Sequence, residues 1–267
     1  MANISEIAAY CDRLLNCGAF HDVSLNGLQV AGGLSERFGA AVTASLDAIR
    51  SAEECGCKLL LVHHGIIWKG SQSPYAGPAK ARLKALFDAD ITLLAYHLPL
   101  DAQRDFGNNA SLLRAVGASG CDYLTPGDPA SVGMRGVLEI PSKVSELAAL
   151  LSAYLDCKAR YTIDSTVSKI AVCSGSGSFM LEDPAFSDEL LITGEMSEQA
   201  WHLAAEMRIP VIVLGHDPSE QLGIWNLAGK VEEQFSIERV PLFSDPEGEA
   251  SEADCRGQGQ GSFITLQ

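Results

Sequence analysis

KLLLVHHGIIWKG, spanning Lys58–Gly70, is a short apolar run closed by two histidines and a glycine. Apolar runs of about four to eight residues bounded by turn residues read as strands buried on both faces. The same arrangement returns in ITLLAYHLPLD, Ile91–Asp101, and in IPVIVLGHDPSE, Ile209–Glu220. Four of the six histidines of the chain stand at these three strand ends, with Asp101 and Glu220 beside them. Ligands of open α/β sheets collect outside the carboxyl ends of the strands. The segments that suggest the architecture therefore also mark a site.

Around these runs the hydrophobic period alternates. Phe38–Leu46 reads as a strand, Ala48–Cys55 as a helix and Lys58–His63 as a strand, followed by helix Pro78–Asp88, strand Ile91–Tyr96 and helix Asn109–Val116. This rhythm implies an α/β fold with a largely parallel sheet. A second set after Ser131 echoes it without a sequence repeat. It has strand Arg135–Ile140, a helix opened by Pro141 and Ser142 and running to Leu155, strands Lys169–Cys173 and Leu190–Thr193, helix Ser197–Met207 and strand Pro210–Leu214. Leu124–Pro129, with its prolines and glycine, is the expected boundary between the sets. At the start of the chain, Asn3 and Glu6 form a capping box for a helix with Ile4, Ile7, Cys11 and Leu15 on one face. Asn26-Gly27 and Gly32-Gly33 mark turns. From Ser244 the composition becomes rich in Gly, Glu and Gln and reads as a disordered tail.

The chain has 267 residues, 47% of them apolar, enough for one large or two small domains. Its net charge of −15 argues against nucleic acid and anionic membrane as partners. The eight cysteines have irregular spacing and no C-x-x-C pair, as expected of reduced thiols in a cytosolic protein. The N-terminus is amphipathic and mildly acidic, unlike a signal peptide, and no run approaches the ~20 apolar residues of a membrane span. The expectation is a soluble, cytoplasmic protein.

The histidines carry the chemistry. Neighbours on a strand point to opposite faces, so His63 and His64 are expected to serve two adjacent ions rather than one. His97 and Asp101 are four residues apart, as are His216 and Glu220, a spacing that places each pair on one side of a helical turn. Five or six ligands exceed the needs of one zinc-like ion and suit two divalent cations. Such ligands accept Zn, Mn, Fe, Co or Ni. His21 and His202, isolated in sequence, read as structural residues. Asp47 could bind metal or orient a histidine, but capping the helix that follows is the favoured role. CSGSGS at Cys173–Ser178 resembles a phosphate loop, yet Met180 stands where a third glycine belongs and no Walker lysine follows. A tight turn is the preferred reading. Thr193 and Glu195 are placed where they could face a cleft. Ile66, Ile67 and Trp68 are expected at a domain or subunit contact, or in the core.

NGLQV at Asn26–Val30, VHHGIIWKG, HLPLDA, GNN at Gly107–Asn109, CSGSGS, TGEMSEQAW at Thr193–Trp201 and GHDPSE occur together in this order. In this the chain resembles the Nif-three-like dinuclear metal-centre family, also named GTP cyclohydrolase 1 type 2 homologues, in its short form, over Met1 to Phe243. The resemblance implies two interlocked three-layer α/β/α domains with mixed, largely parallel sheets and a metal site in the cleft between them. The domains would be residues 1–126 with 212–243, and 127–211, with 244–267 as the tail. Carried over by motif, His63, His64, Asp101, His216 and Glu220 are metal ligands and Glu220 bridges two ions. His97 matches a position that either ligates or supports a ligand. A hexameric ring and a metal-dependent hydrolase acting on a nucleotide or other small molecule are further implications. The alternative is a metal-binding, metal-delivery or adaptor protein without turnover.

Overall fold

The computed structural model describes residues 3–70, 74–125, 128, 130–183, 186 and 189–242. Along the chain run α1 (Ile4–Leu14), β1 (Gly27–Val30), β2 (Arg37–Thr43), α2 (Leu46–Glu54), β3 (Leu59–His64), α3 (Gly77–Asp88), β4 (Thr92–Ala95), α4 (Leu98–Asp101), α5 (Asn108–Ala115) and β5 (Ala118–Tyr123). Then follow β6 (Met134–Lys143), α6 (Val144–Leu155), β7 (Arg160–Tyr161), β8 (Thr166–Cys173), β9 (Leu190–Thr193), α7 (Glu198–Met207), β10 (Val211–Val213), α8 (His216–Phe235) and β11 (Glu238–Pro241). The described residues form two compact units, one of residues 3–100 with 224–242, the other within residues 101–223.

The first unit holds a five-stranded sheet in the order β1-β4-β3-β2-β11, parallel except for β1. Alternation along the strands divides its core. Ala41, Leu60, Val62, Leu93 and Ala95 pack with Ile49 and Ala52 of α2 and Leu86 of α3. Phe38, Leu59, Leu61, Leu94 and Tyr96 are buried on the opposite side. There the Tyr96 hydroxyl donates to the Ala8 carbonyl of α1 at 3.2 Å. The Asn3–Glu6 capping box opens α1 as expected. The cap of α2 is Ser45, which accepts from the Ala48 N–H, while Asp47 lies exposed in the first turn. The capping role expected of Asp47 thus belongs to the residue two places earlier, which alone has the extended backbone of a cap.

The second unit holds a six-stranded sheet, β5-β6-β8-β9-β10-β7, in which β8, β9 and β10 are parallel and the flanking pairings antiparallel. Ile170, Val172, Leu190, Ile192 and Ile212 face α5 and α6. The alternate residues Ala171, Cys173, Leu191, Val211 and Val213 face Ala204 of α7 and the short 3-10 turn Ser178–Glu182. This is three-layer α/β/α packing produced by the period-2 side-chain pattern.

The boundaries differ from those expected at 126/127 and 211/212. The stretch expected as a boundary, residues 124–129, lies partly outside the described residues, between β5 and β6, which pair within one sheet. β10 pairs with β9 and belongs to the second sheet. The chain passes between units at Leu100/Asp101 and Gly223/Ile224 instead. The proposed tail, 244–267, lies outside the described residues. No described helix is long and apolar enough to cross a membrane. Cys11, Cys17, Cys57, Cys121, Cys157 and Cys173 are free thiols.

Candidate metal centre

In the first unit three histidines converge. β3 ends at His63 and His64, and β4 is followed directly by His97. One ligating nitrogen from each ring lies within 4.8 Å of the other two. The His63 and His64 rings sit 4.6 Å apart, so the strand end brings them side by side rather than to opposite faces. His63 is fully buried, and its Nδ1 is 2.8 Å from the Tyr96 carbonyl. A carbonyl only accepts, so Nδ1 carries the proton and Nε2 the lone pair. His64 Nδ1 lies 3.2 Å from Thr43 Oγ1, across the β2–β3 pairing.

His97 Nδ1 is 2.8 Å from Asp22 Oδ1. Asp22 also accepts from the Ser24 N–H, the Asn26 amide and the Leu98 N–H. Burial opposes its ionisation, but the hydrogen bonds from His97, Ser24 and Asn26 outweigh burial and hold its carboxyl well below the usual carboxylate range. Asn26 Oδ1 in turn accepts from the His97 N–H at 2.7 Å. Neither Asp22 nor this use of Asn26 was evident from sequence, where Asn26-Gly27 signalled only a turn.

In the second unit Asp101 ends α4, and His216 and Glu220 lie one turn apart at the start of α8. Asp101 is buried, and its Oδ1 accepts from Asn108 Nδ2 and Ser174 Oγ, both at 2.8 Å. Asn109 donates to the Asp101 carbonyl and accepts the Ser174 N–H. GNN and CSGSGS are thus scaffolding for one carboxylate. Two more turn amides are engaged inside the protein, Gly175 N–H by Ser219 Oγ and Gly177 N–H by Thr193 Oγ1, as suits the tight-turn reading. Gly175, at φ +60°, passes so near Glu220 that a Cβ there would stand 2.4 Å from Oε1.

His216 lies between two carboxylates, with Nδ1 3.1 Å from Glu195 Oε1 and Nε2 3.3 Å from Glu220 Oε2. The Glu220 hydrogen bond, aided by the charges of Glu220 and Glu195 and opposed by burial, pushes the imidazole up to about 9. Burial, reinforced by Asp101 and Glu220, pushes the Cys173 thiol up to about 12, and Cys173 belongs to none of the candidate metal groups among the described residues. His21 and His202 are exposed and stand outside every such cluster among the described residues.

All four strand-end histidines therefore share one feature. Nδ1 is backed by a protein oxygen: Tyr96 O, Thr43 Oγ1, Asp22 Oδ1 or Glu195 Oε1. Metal-ligating imidazoles are oriented in this way, with Nε2 as the donor. Nitrogen and carboxylate oxygen without thiolate fit divalent ions of the borderline class.

An α/β protein with histidine and carboxylate groups able to hold a metal ion is the class these features define. The chain belongs to the Duf34/NIF3 (NGG1p interacting factor 3) family, whose sequence model matches residues 2–246. It is 37% identical over 242 residues to a protein of Archaeoglobus fulgidus named GTP cyclohydrolase 1 type 2 homolog, covering 90% of this chain and 97% of that one. Among solved structures it is similar to the structural-genomics protein ybgI, of unknown function, with TM-score 0.84, 31% identity, and 92% and 100% of the two chains covered. It is also similar to TTHA1606 from Thermus thermophilus, with TM-score 0.81, 32% identity, and 93% and 100% covered.

Proposed function

We propose that His63, His64, His97, Asp101, His216 and Glu220 together hold two divalent cations and that the protein is a metal-dependent hydrolase. The observation that supports this most is the convergence of His63, His64 and His97, whose ligating nitrogens lie within 4.8 Å of one another, each ring with an oxygen at Nδ1. The chain offers a second argument. His97 and Asp101 belong to different units yet are separated by the single turn of α4.

In this reading Glu220 is the shared anionic ligand. Asp22 and Glu195 hold His97 and His216 in the ligating tautomer. Asn108 and Ser174 fix Asp101. A bound pair of divalent cations supplies Lewis acidity and a water acidic enough to attack near neutral pH. The name carried by the relatives makes GTP the first substrate to test, ahead of a broader set of phosphorylated and heterocyclic compounds.

Protein purified without chelator is expected to contain about two divalent ions per chain by elemental analysis. A value near zero after supplementation removes the dinuclear reading. Two ions without turnover in the substrate screen convert the function to metal binding or delivery. Light scattering is expected to give six times the 28.4 kDa chain mass, the ring that the family resemblance implies.

A further inference from the structure

A cavity of about 370 Å³ opens in the first unit between α3 and the loop after β3, and the metal reading does not use it. Its walls include Ile66, Trp68, Tyr75, Arg82, Leu83 and Phe87. Small-molecule sites occupy roughly 300–1,000 Å³, are largely apolar and carry a few placed polar groups.

Three observations say what fits. The loop wall is preformed: Gln29 Oε1 accepts the Ile66 and Ile67 N–H groups at 2.7 and 3.0 Å, and its Nε2 donates to the Leu25 carbonyl at 2.7 Å. Gly65 permits that clasp, because a Cβ there would stand 2.2 Å from the Gln29 amide. The lining is aromatic on several sides. Tyr75 and Phe87 are 71% and 65% exposed, and Trp68 stands edge-on to His97 with centroids 5.2 Å apart. Large exposed rings gathered at one cavity mark a surface that something covers. Finally, Arg82 is half-buried in the wall and has no ion-pair or hydrogen-bond partner among the described residues. Its neighbours Lys84 and Lys69 are engaged, by Asp88 and by the Asp22 carbonyl. An unpaired guanidinium lining the same cavity as three aromatic side chains, on a chain of net charge −15, suits an anion carried on a flat ring.

We propose that this cavity binds a planar aromatic or heteroaromatic acid, with Arg82 taking the anionic group and Trp68, Tyr75 and Phe87 flanking the ring. The site belongs wholly to the first unit and does not depend on the metal reading, so it is tested on metal-free full-length protein.

The probes are 1-anilinonaphthalene-8-sulfonate and its uncharged counterpart N-phenyl-1-naphthylamine. The sulfonate is expected to bind once per chain, with energy transfer that falls in Trp68→Phe. Arg82→Gln should weaken the sulfonate by at least about tenfold, the scale of one charge-assisted hydrogen bond. The uncharged probe should change by less than twofold. Ala79→Trp, which fills the cavity from the α3 side, should abolish both. Circular dichroism and light scattering confirm that each variant keeps its fold and mass. Equal loss of both probes in Arg82→Gln, or binding indifferent to Ala79→Trp, overturns the proposal. So does a change of oligomeric mass in Arg82→Gln, which would make the cavity a contact between copies of the chain.

Discussion

His97 and His216 are each backed by a carboxylate, yet the two pairs are built differently. Asp22 has a side chain only 1% exposed and takes four protein donors, whereas Glu195 is 56% exposed and has a single further donor, the Ser176 hydroxyl. The first pair is a fixed part of the fold. The second is a titrating group at the surface, with His216 pushed up to about 9. Burial thus separates a support that orients a ring permanently from one whose proton competes with a cation.

The most damaging test is Glu220→Gln. It removes the proposed shared ligand and also the hydrogen bond that most raises His216. Metal content should fall from two ions to one or fewer, and the His216 titration followed by NMR should move down toward the ordinary histidine value of about 6.5. If two ions remain as tightly held, Glu220 does not bridge.

A direct contrast of the two pairs comes next. Asp22→Asn should weaken metal binding by about 10–100-fold, the range for groups that orient a ligating histidine. It should also cost about 1–3 kcal/mol of stability in denaturant melts, since buried donors lose a charged acceptor. Glu195→Gln should weaken binding by less than about tenfold and leave the melt almost unchanged, because exposed ion pairs contribute little. Equal effects would show that exposure does not distinguish the pairs.

The pH dependence sharpens the comparison further. His216 is raised in the folded protein, so without metal its contribution to stability is complete below about pH 6.5 and is lost as pH rises through about 9. If His216 ligates a cation, binding displaces that proton, so affinity should rise with pH across the same window by at most about tenfold per unit, then level off. Chelator competition from pH 6 to 9.5 measures it, and Glu195→Gln should move the plateau to lower pH. Asp22 behaves in the opposite sense. Its depressed carboxyl stabilises the fold above the usual carboxylate range, and that contribution is lost only as pH falls through its folded value.

The interior strands were legible in the sequence, and Leu190–Thr193 matches β9 end to end. The strands that escaped, β1, β5, β7 and β11, are the four edges of the two sheets. An edge strand is half solvated and needs no continuous apolar run, so ASGCDY and ERVP carry no period to read. α8 escaped for another reason. Gly223 and Gly229 interrupt its propensity, but each lets another group approach: a Cβ would stand 2.4 Å from Asn108 Oδ1 and 2.7 Å from Arg239 Nη1. The histidines, Asp101 and Glu220 were named because their residue types advertise metal chemistry. Asp22 was not, since its partner lies 75 positions away and only the fold joins them.

The fixed Nδ1 contacts also bear on how fast an ion arrives and leaves. His63 and His97, whose Nδ1 protons are fixed by a carbonyl and a carboxylate, need no new tautomer to present Nε2, so capture of an ion there would freeze little further motion. His216 must first release a proton and break its contact with Glu220, so it engages last and lets go first. If both regions hold ions, exchange should be faster at the partly exposed His216 than at the buried His63.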